Sequence, residues 1–256
     1  MPCHDGREDY GTIGRIFVTP SHTYAAWRWL ARIFGVWAML LSALLTLVAV
    51  VGRDPVTRAI TAMAAGLGFL WIILGGVIMV TLRDPARALM RRFSRHWQTA
   101  FVLWAIVLAL LEEAITTGLT NTAPLWGLTW QEAHITASNK YLDVVLFHSV
   151  IVFIPMFIAR GWLLRRYAFQ PVQVFLLFGF TGTLAETLSF GLQNFMMLGF
   201  WVYVYGLMVY LPAYAITPYL SERRPKRGTY LIALIVPLLA AIPVALLILA
   251  LTSQMQ

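Results

Sequence analysis

Glu112, Glu113, Glu186 and His148 are ionisable side chains set inside apolar stretches long enough to cross a bilayer. Each costs roughly 2.5–3.5 kcal/mol on insertion scales, so a chain that keeps four has a use for them. Carboxylates beside a histidine can activate water by general acid–base chemistry, relay protons, or bind a cation. Glu113 shares a helical stripe with Thr117, Thr120 and Asn121, whereas Glu112 shares its face with Leu108 and Thr116. Successive helical residues differ by about 100°, so the two carboxylates are not expected to point straight into one cavity, and Glu113 is expected to face the polar interior. Asp143 stands at the mouth of the next span, with His148 five residues deeper; Glu186 shares a face with Thr183 and Ser189, and Gln193 and Asn194 lie in the turn beyond. All lie at a similar depth. Glu113, His148 and Glu186 are therefore expected to converge on one cavity, covered by the connecting segment that carries Trp126, Trp130 and His134.

The elements that must hold these residues follow from composition. Hydrophobic residues make up 60% of the chain, charged residues 12%, and mean hydropathy is +0.74. That balance belongs to a membrane protein. The apolar residues form continuous blocks of about twenty, enough to span a hydrocarbon core of about 30 Å as helix, and they do not alternate as barrel strands would. The expected fold is all-α: a polytopic transmembrane helix bundle of about seven spans, near 31–51, 59–82, 98–120, 142–164, 171–190, 194–219 and 229–252. Residues 1–22 form a polar cytoplasmic tail without the apolar core of a signal peptide, and 23–256 form a single membrane domain. A re-entrant hairpin at the short turn Gly191–Asn194 stays open.

Of the 19 basic residues, sixteen fall in segments 1–32, 83–97, 160–170 and 221–228, and only Arg53, Arg58 and Lys140 fall on the other side. This positive-inside pattern predicts a multi-pass protein of the cell (plasma) membrane, N-terminus cytoplasmic and C-terminus exterior. The net charge of +8 is then a topology device spread along membrane edges, which excludes nucleic acid as a partner. In one inner segment Asp84 and Pro85 suggest a helix start, and Ala86, Leu89, Met90, Phe93 and Trp97 recur at helical spacing with Arg87, Arg91, Arg92 and Arg95 elsewhere. A short interfacial amphipathic helix is expected there, its basic face on anionic lipid headgroups.

Other chemistries leave no trace. Cys3 is the single cysteine, so no disulfide framework exists, and Cys3-His4-Asp5 is at most a weak metal ligand. No span contains lysine, which excludes a retinal Schiff base. The chain has no H-E-x-x-H, G-x-S-x-G or P-loop, and no span carries the D-x-x-x-D pair of a prenyl transferase. No cofactor is indicated by a motif, although His148 with Glu113 and Glu186 are residue types that can ligate zinc. Gly66, Gly68, Gly75 and Gly76, and Gly179 with Gly182, are expected to mark close helix packing.

The stretch Glu112-Glu113-Ala114-Ile115-Thr116-Thr117-Gly118 resembles the E-E-x-x-x-R-G motif of the CAAX-protease and bacteriocin-processing family of intramembrane proteases, and Phe147-His148 follows 35 residues after Glu113, as does that family's second motif. The resemblance covers about 40 of the 256 residues, with Thr117 where the motif has arginine and no H-x-x-x-N pair downstream. It implies Glu112 or Glu113 as general base, His148 as its partner, and Asn194 as a loose counterpart of the oxyanion-hole amide. Three function classes result: an intramembrane hydrolase acting on a peptide or lipid-like substrate, which the motif favours; a proton-coupled transporter or channel; and a non-catalytic component that binds lipid or protein.

Overall fold

The structure, a computed structural model, describes residues 22–220 and 223–253, and the expected tail with Cys3, His4 and Asp5 lies outside them. Helix α1 (His22–Val51) has 30 residues, about 45 Å of helix, so its first turns with Arg28 and Arg32 extend well past the span expected at 31–51. The second span is a composite. Asp54 caps it by accepting from the Thr57 backbone N–H at 2.8 Å and the Thr57 hydroxyl at 2.6 Å, with Pro55 at the first helical position. Helix α2 (Pro55–Leu67) then passes through a π-helical stretch, Gly68–Gly75, into α3 (Gly76–Thr81).

Helix α4 (Arg83–Arg91) is the interfacial helix, but Leu82 rather than Asp84 is its capping residue, and Asp84 sits within the first turn. Its Ala86 and Met90 are buried against the bundle, while Leu89 and Phe93 face outward. Helix α5 (Trp97–Thr120) follows, then a connecting segment, then α6 (Tyr141–Phe147) and α7 (Val150–Arg166), which meet at a 45° bend. Helices α8 (Pro171–Phe190), α9 (Leu198–Ile216) and α10 (Arg227–Ser253) complete the chain. Among the described residues six helices are long and apolar enough to cross a membrane, and the bent α6–α7 pair makes a seventh when taken as one span. The α8 and α9 stretches are separate spans.

Lipid is as apolar as leucine, so helices in a bilayer associate through close packing and hydrogen bonds. The α8–α9 hairpin shows how. A Cβ on Gly179 would lie 2.3 Å from the Val202 carbonyl oxygen, and one on Gly182 would lie 2.2 Å from the Tyr205 ring. Gly191, at φ 103°, ends α8 and starts the return. In the second span Gly66 and Gly68 are also close contacts, on Leu119 and Ser42, but Gly75 and Gly76 have only ordinary contacts at 3.5 Å or more. Helix α9 is buried along most of its length and forms the centre of the bundle.

Arg160 departs from its expected place. It was counted with a basic loop, yet it is 0% exposed, and its terminal nitrogen donates to the Ala233 carbonyl of α10 at 2.7 Å. Pro237 explains the carbonyl: lacking an N–H, it cannot supply the helical bond to the residue four positions back. Thr181 of α8 donates to the adjacent Leu234 carbonyl at 3.2 Å, so α7, α8 and α10 meet around this gap in α10's ladder.

Candidate functional site

Along α5 the buried residues are Ala100, Phe101, Ala105, Ala109, Glu112, Glu113, Thr116, Thr117 and Thr120. Alanines and Phe101 fill the buried face over the first turns, and polar side chains replace them toward the C-terminal half of the helix. Both glutamates are buried, Glu112 at 4% exposure and Glu113 at 7%. This corrects the expectation that only Glu113 turns inward. Two residues 100° apart each lie about 50° from the midline between them, and a helix packed on several sides encloses both.

The hydroxyls around them come from three helices. Thr116 donates to a Glu113 carboxylate oxygen at 3.3 Å, and the Ser149 hydroxyl, which donates to the Val144 carbonyl at 3.3 Å, is also among the groups acting on that carboxylate. Glu186 of α8 acts electrostatically on both Glu112 and Glu113, and Tyr205 of α9 donates to Glu186 at 2.6 Å. The Tyr205 ring is held between Trp201, stacked at 5.9 Å, and the edge of Phe153 at 5.7 Å. The cluster is therefore Glu112, Glu113 and Glu186, served by Thr116, Ser149 and Tyr205, with no basic side chain among the groups acting on it.

His148 does not join it. The helical path breaks at His148 and Ser149, where the Ser149 N–H reaches back five residues to Val144. The break turns Ser149 toward Glu113 and leaves His148 exposed on the outside of the bundle. No proline or glycine stands at 148–149 to announce it; Pro155 is six residues on. Asn194 is half-buried in the 3-10 turn Leu192–Met197, its backbone N–H donating to the Gly191 carbonyl at 3.2 Å, and its side chain is not among the groups acting on the carboxylates. The expected zinc set of His148, Glu113 and Glu186 is likewise not assembled: among the described residues no group of three or more His, Cys, Asp or Glu is arranged to hold a metal ion.

The connecting segment anchors on the outer end of α5, beyond the glutamates. Thr120 accepts from the Ile135 backbone N–H at 3.2 Å and the Thr136 hydroxyl at 3.3 Å, while Ala123 and Ala133 pack with Ala59 and Met63. His134 stays at the surface, its ring nitrogen 3.2 Å from the Trp130 carbonyl. Tyr205 and Ser149 are the site residues that sequence reasoning missed. The signal for Tyr205 was Gly182, one turn before Glu186 on the same face, a gap into which a large ring can lie. No family model matches the chain, and neither a curated protein nor a solved structure matches it.

Proposed function

We propose that this chain is a proton-coupled membrane transporter whose proton-binding site is Glu112, Glu113 and Glu186, oriented by Tyr205. The company of the three carboxylates carries this reading: they have the hydroxyls of Thr116, Ser149 and Tyr205 and no basic partner. Three negative charges in one buried space repel each other and lose their hydration, so such a site works with protons bound. Hydroxyls both donate and accept, which suits passing a proton. Thr183, Thr181 and Arg160 are buried on the arginine-rich side of Glu186, with the two hydroxyls donating to the Gly179 and Leu177 carbonyls at 2.9 and 2.8 Å. By the positive-inside rule the arginine-rich face, with the N-terminus, is cytoplasmic, the C-terminus is exterior, and the acid site lies in the exterior half of the cell membrane.

A hydrolase acting on a peptide or lipid-like substrate is the second reading. Its support is that both glutamates of the E-E motif are buried together and meet Glu186, because carboxylates sharing a proton can activate water without histidine.

Infrared difference spectra of the protein in nanodiscs, taken across a pH titration, test the site. The expected result is a carboxylic C=O band that titrates and shrinks in Glu112→Gln and Glu186→Gln. In proteoliposomes under an imposed pH gradient, dye-reported proton flux is expected to fall in the same variants. Absence of both band and flux removes the transporter reading. Hydrolysis of fluorogenic peptides or lipids that Glu112→Gln abolishes puts the hydrolase in its place.

A further inference from the structure

At the arginine-rich end, α1 and the second span part, and the space between them and α9 is a cleft of ≈ 1410 Å³. Pockets for drug-sized ligands hold about 300–1,000 Å³, so the cleft has room for a larger molecule. The lining is divided by chemistry. Arg28 and Arg32 of α1 stand at one end with Arg83 and Arg87 of α4. At the other end the walls are apolar: Val36, Met39 and Leu40 of α1 face Ile72, Ile73 and Val77 of the second span.

The four guanidiniums are placed on aromatic rings. Arg87 lies 4.4 Å from the Tyr214 ring centre, Arg83 lies 5.2 Å from Tyr210 and 5.3 Å from Tyr214, and Arg83 also donates to the Tyr210 hydroxyl. Arg28 lies over Tyr24 and Arg32 over Trp29. None of the four meets a carboxylate among the described residues. The Nε–H groups of Arg83 and Arg87 are enclosed and have no acceptor among the described residues. A guanidinium over a ring keeps other N–H groups for a ligand, and four cations without a carboxylate lack the counter-charge that a phosphate supplies.

Length identifies the kind of ligand. The α1 lining runs from Tyr24 to Leu40, sixteen residue steps or about 24 Å of helix. That is close to one leaflet with its headgroup layer, about 20–22 Å, and short of the roughly 30 Å that a transmembrane partner helix needs. The side of the cleft is open to the bilayer, where Trp29, Val36 and Leu40 are exposed. We infer that this cleft binds one anionic phospholipid of the arginine-rich leaflet, its phosphate among Arg28, Arg32, Arg83 and Arg87 and its chains along α1 and α3. The site stands apart from the acid cluster, at the other end of the bundle, and its test does not read proton flux.

Native mass spectrometry of the full chain, released from detergent with added phosphatidylglycerol or phosphatidylcholine of identical chains, tests it. One phosphatidylglycerol should be retained in preference to phosphatidylcholine. The doubles Arg28→Gln/Arg32→Gln and Arg83→Gln/Arg87→Gln should each lower that retention by roughly tenfold. Arg91→Gln/Arg92→Gln, which removes the same charge from exposed positions of the same region, should leave it unchanged. Gly76→Phe keeps every arginine and enters the apolar end, where a Cβ meets only Leu207 at 3.9 Å, so it should also lower retention. Where a double variant fails to fold, the phosphatidylglycerol-induced rise in melting temperature of Gly76→Phe against the unaltered chain decides. Equal retention of the two lipids, or equal loss in the Arg91/Arg92 double, reduces the cleft to diffuse surface charge and overturns the proposal. It is also overturned if glycerol phosphate alone competes at lipid concentrations, or if lipid binds only after deletion of residues 2–21, which would make the chain's own first residues the occupant.

Discussion

The hydroxyl of Tyr205 on α9 donates to a carboxylate oxygen of Glu186 on α8 at 2.6 Å, inside the bundle. The bond depends on Gly182, one turn before Glu186, because any side chain there would occupy the space of the Tyr205 ring. Helix packing and site chemistry are thus settled by the same contact.

Gly182→Ala is expected to destabilise the protein by about 1–3 kcal/mol, since a Cβ 2.2 Å from a ring held by Trp201 and Phe153 forces the hairpin apart. Thermal melting in detergent measures it. Placing the same change in a Tyr205→Leu background should recover most of the loss, and an undiminished loss there would separate Gly182 from Tyr205.

Tyr205→Phe keeps the ring and removes one hydrogen bond to a carboxylate, an interaction worth about 1.5–3 kcal/mol. Melting should fall by several degrees, and proton flux in proteoliposomes of the folded variant should fall on the order of tenfold, about 1.4 kcal/mol per decade. Unchanged flux would show that Glu186 is oriented by other groups.

Ser149→Ala and His148→Ala are expected to behave oppositely to what the motif resemblance implies. Ser149 reaches Glu113 and His148 is exposed, so the serine change should impair function and the histidine change should leave both melting and function close to the unaltered chain. Loss of function in His148→Ala, with the protein folded, would return the glutamate–histidine pair to consideration.

Arg160 and Pro237 can be tested as a pair. Arg160→Met leaves the Ala233 carbonyl without its donor, a loss of about 1–3 kcal/mol, offset in part by removing the buried Nε and Nη1, which have no partner among the described residues. Pro237→Ala returns the N–H that helix α10 lacks at that carbonyl. The double variant should therefore be more stable than Arg160→Met alone, and strict additivity in melting would sever the link between the two residues.

Membrane orientation is checked by labelling, with Cys3→Ser as background. Gly127→Cys and Leu192→Cys should react with an impermeant maleimide from outside intact cells, and Arg91→Cys only after lysis. Labelling of Arg91→Cys in intact cells would reverse the assigned sides of the acid cluster and the cleft.

Architecture was readable from the chain because it rests on continuous composition. Blocks of about twenty apolar residues must become helices in lipid, where every backbone group needs an internal partner. Their approximate ends, the interfacial helix at Arg83–Arg91 and the closeness of α8 and α9 at Gly179 and Gly182 followed from the same one-dimensional signals. The burial of Glu113 and of Glu112 could be suspected from cost alone, although the angle between them suggested a choice that the packed bundle does not make.

Tertiary structure alone decided which residues meet. His148 and Ser149 are neighbours in sequence, yet a helix break with no proline or glycine in it turns one outward and the other toward Glu113. Tyr205 reached the site because a glycine on another helix left room for its ring, and Arg160 left the membrane edge because a proline in α10 freed a carbonyl. Periodicity along one helix constrains the direction of a side chain relative to its own axis. Its partners depend on the rotation and depth of the neighbouring helices, which packing sets only when all of them are in place.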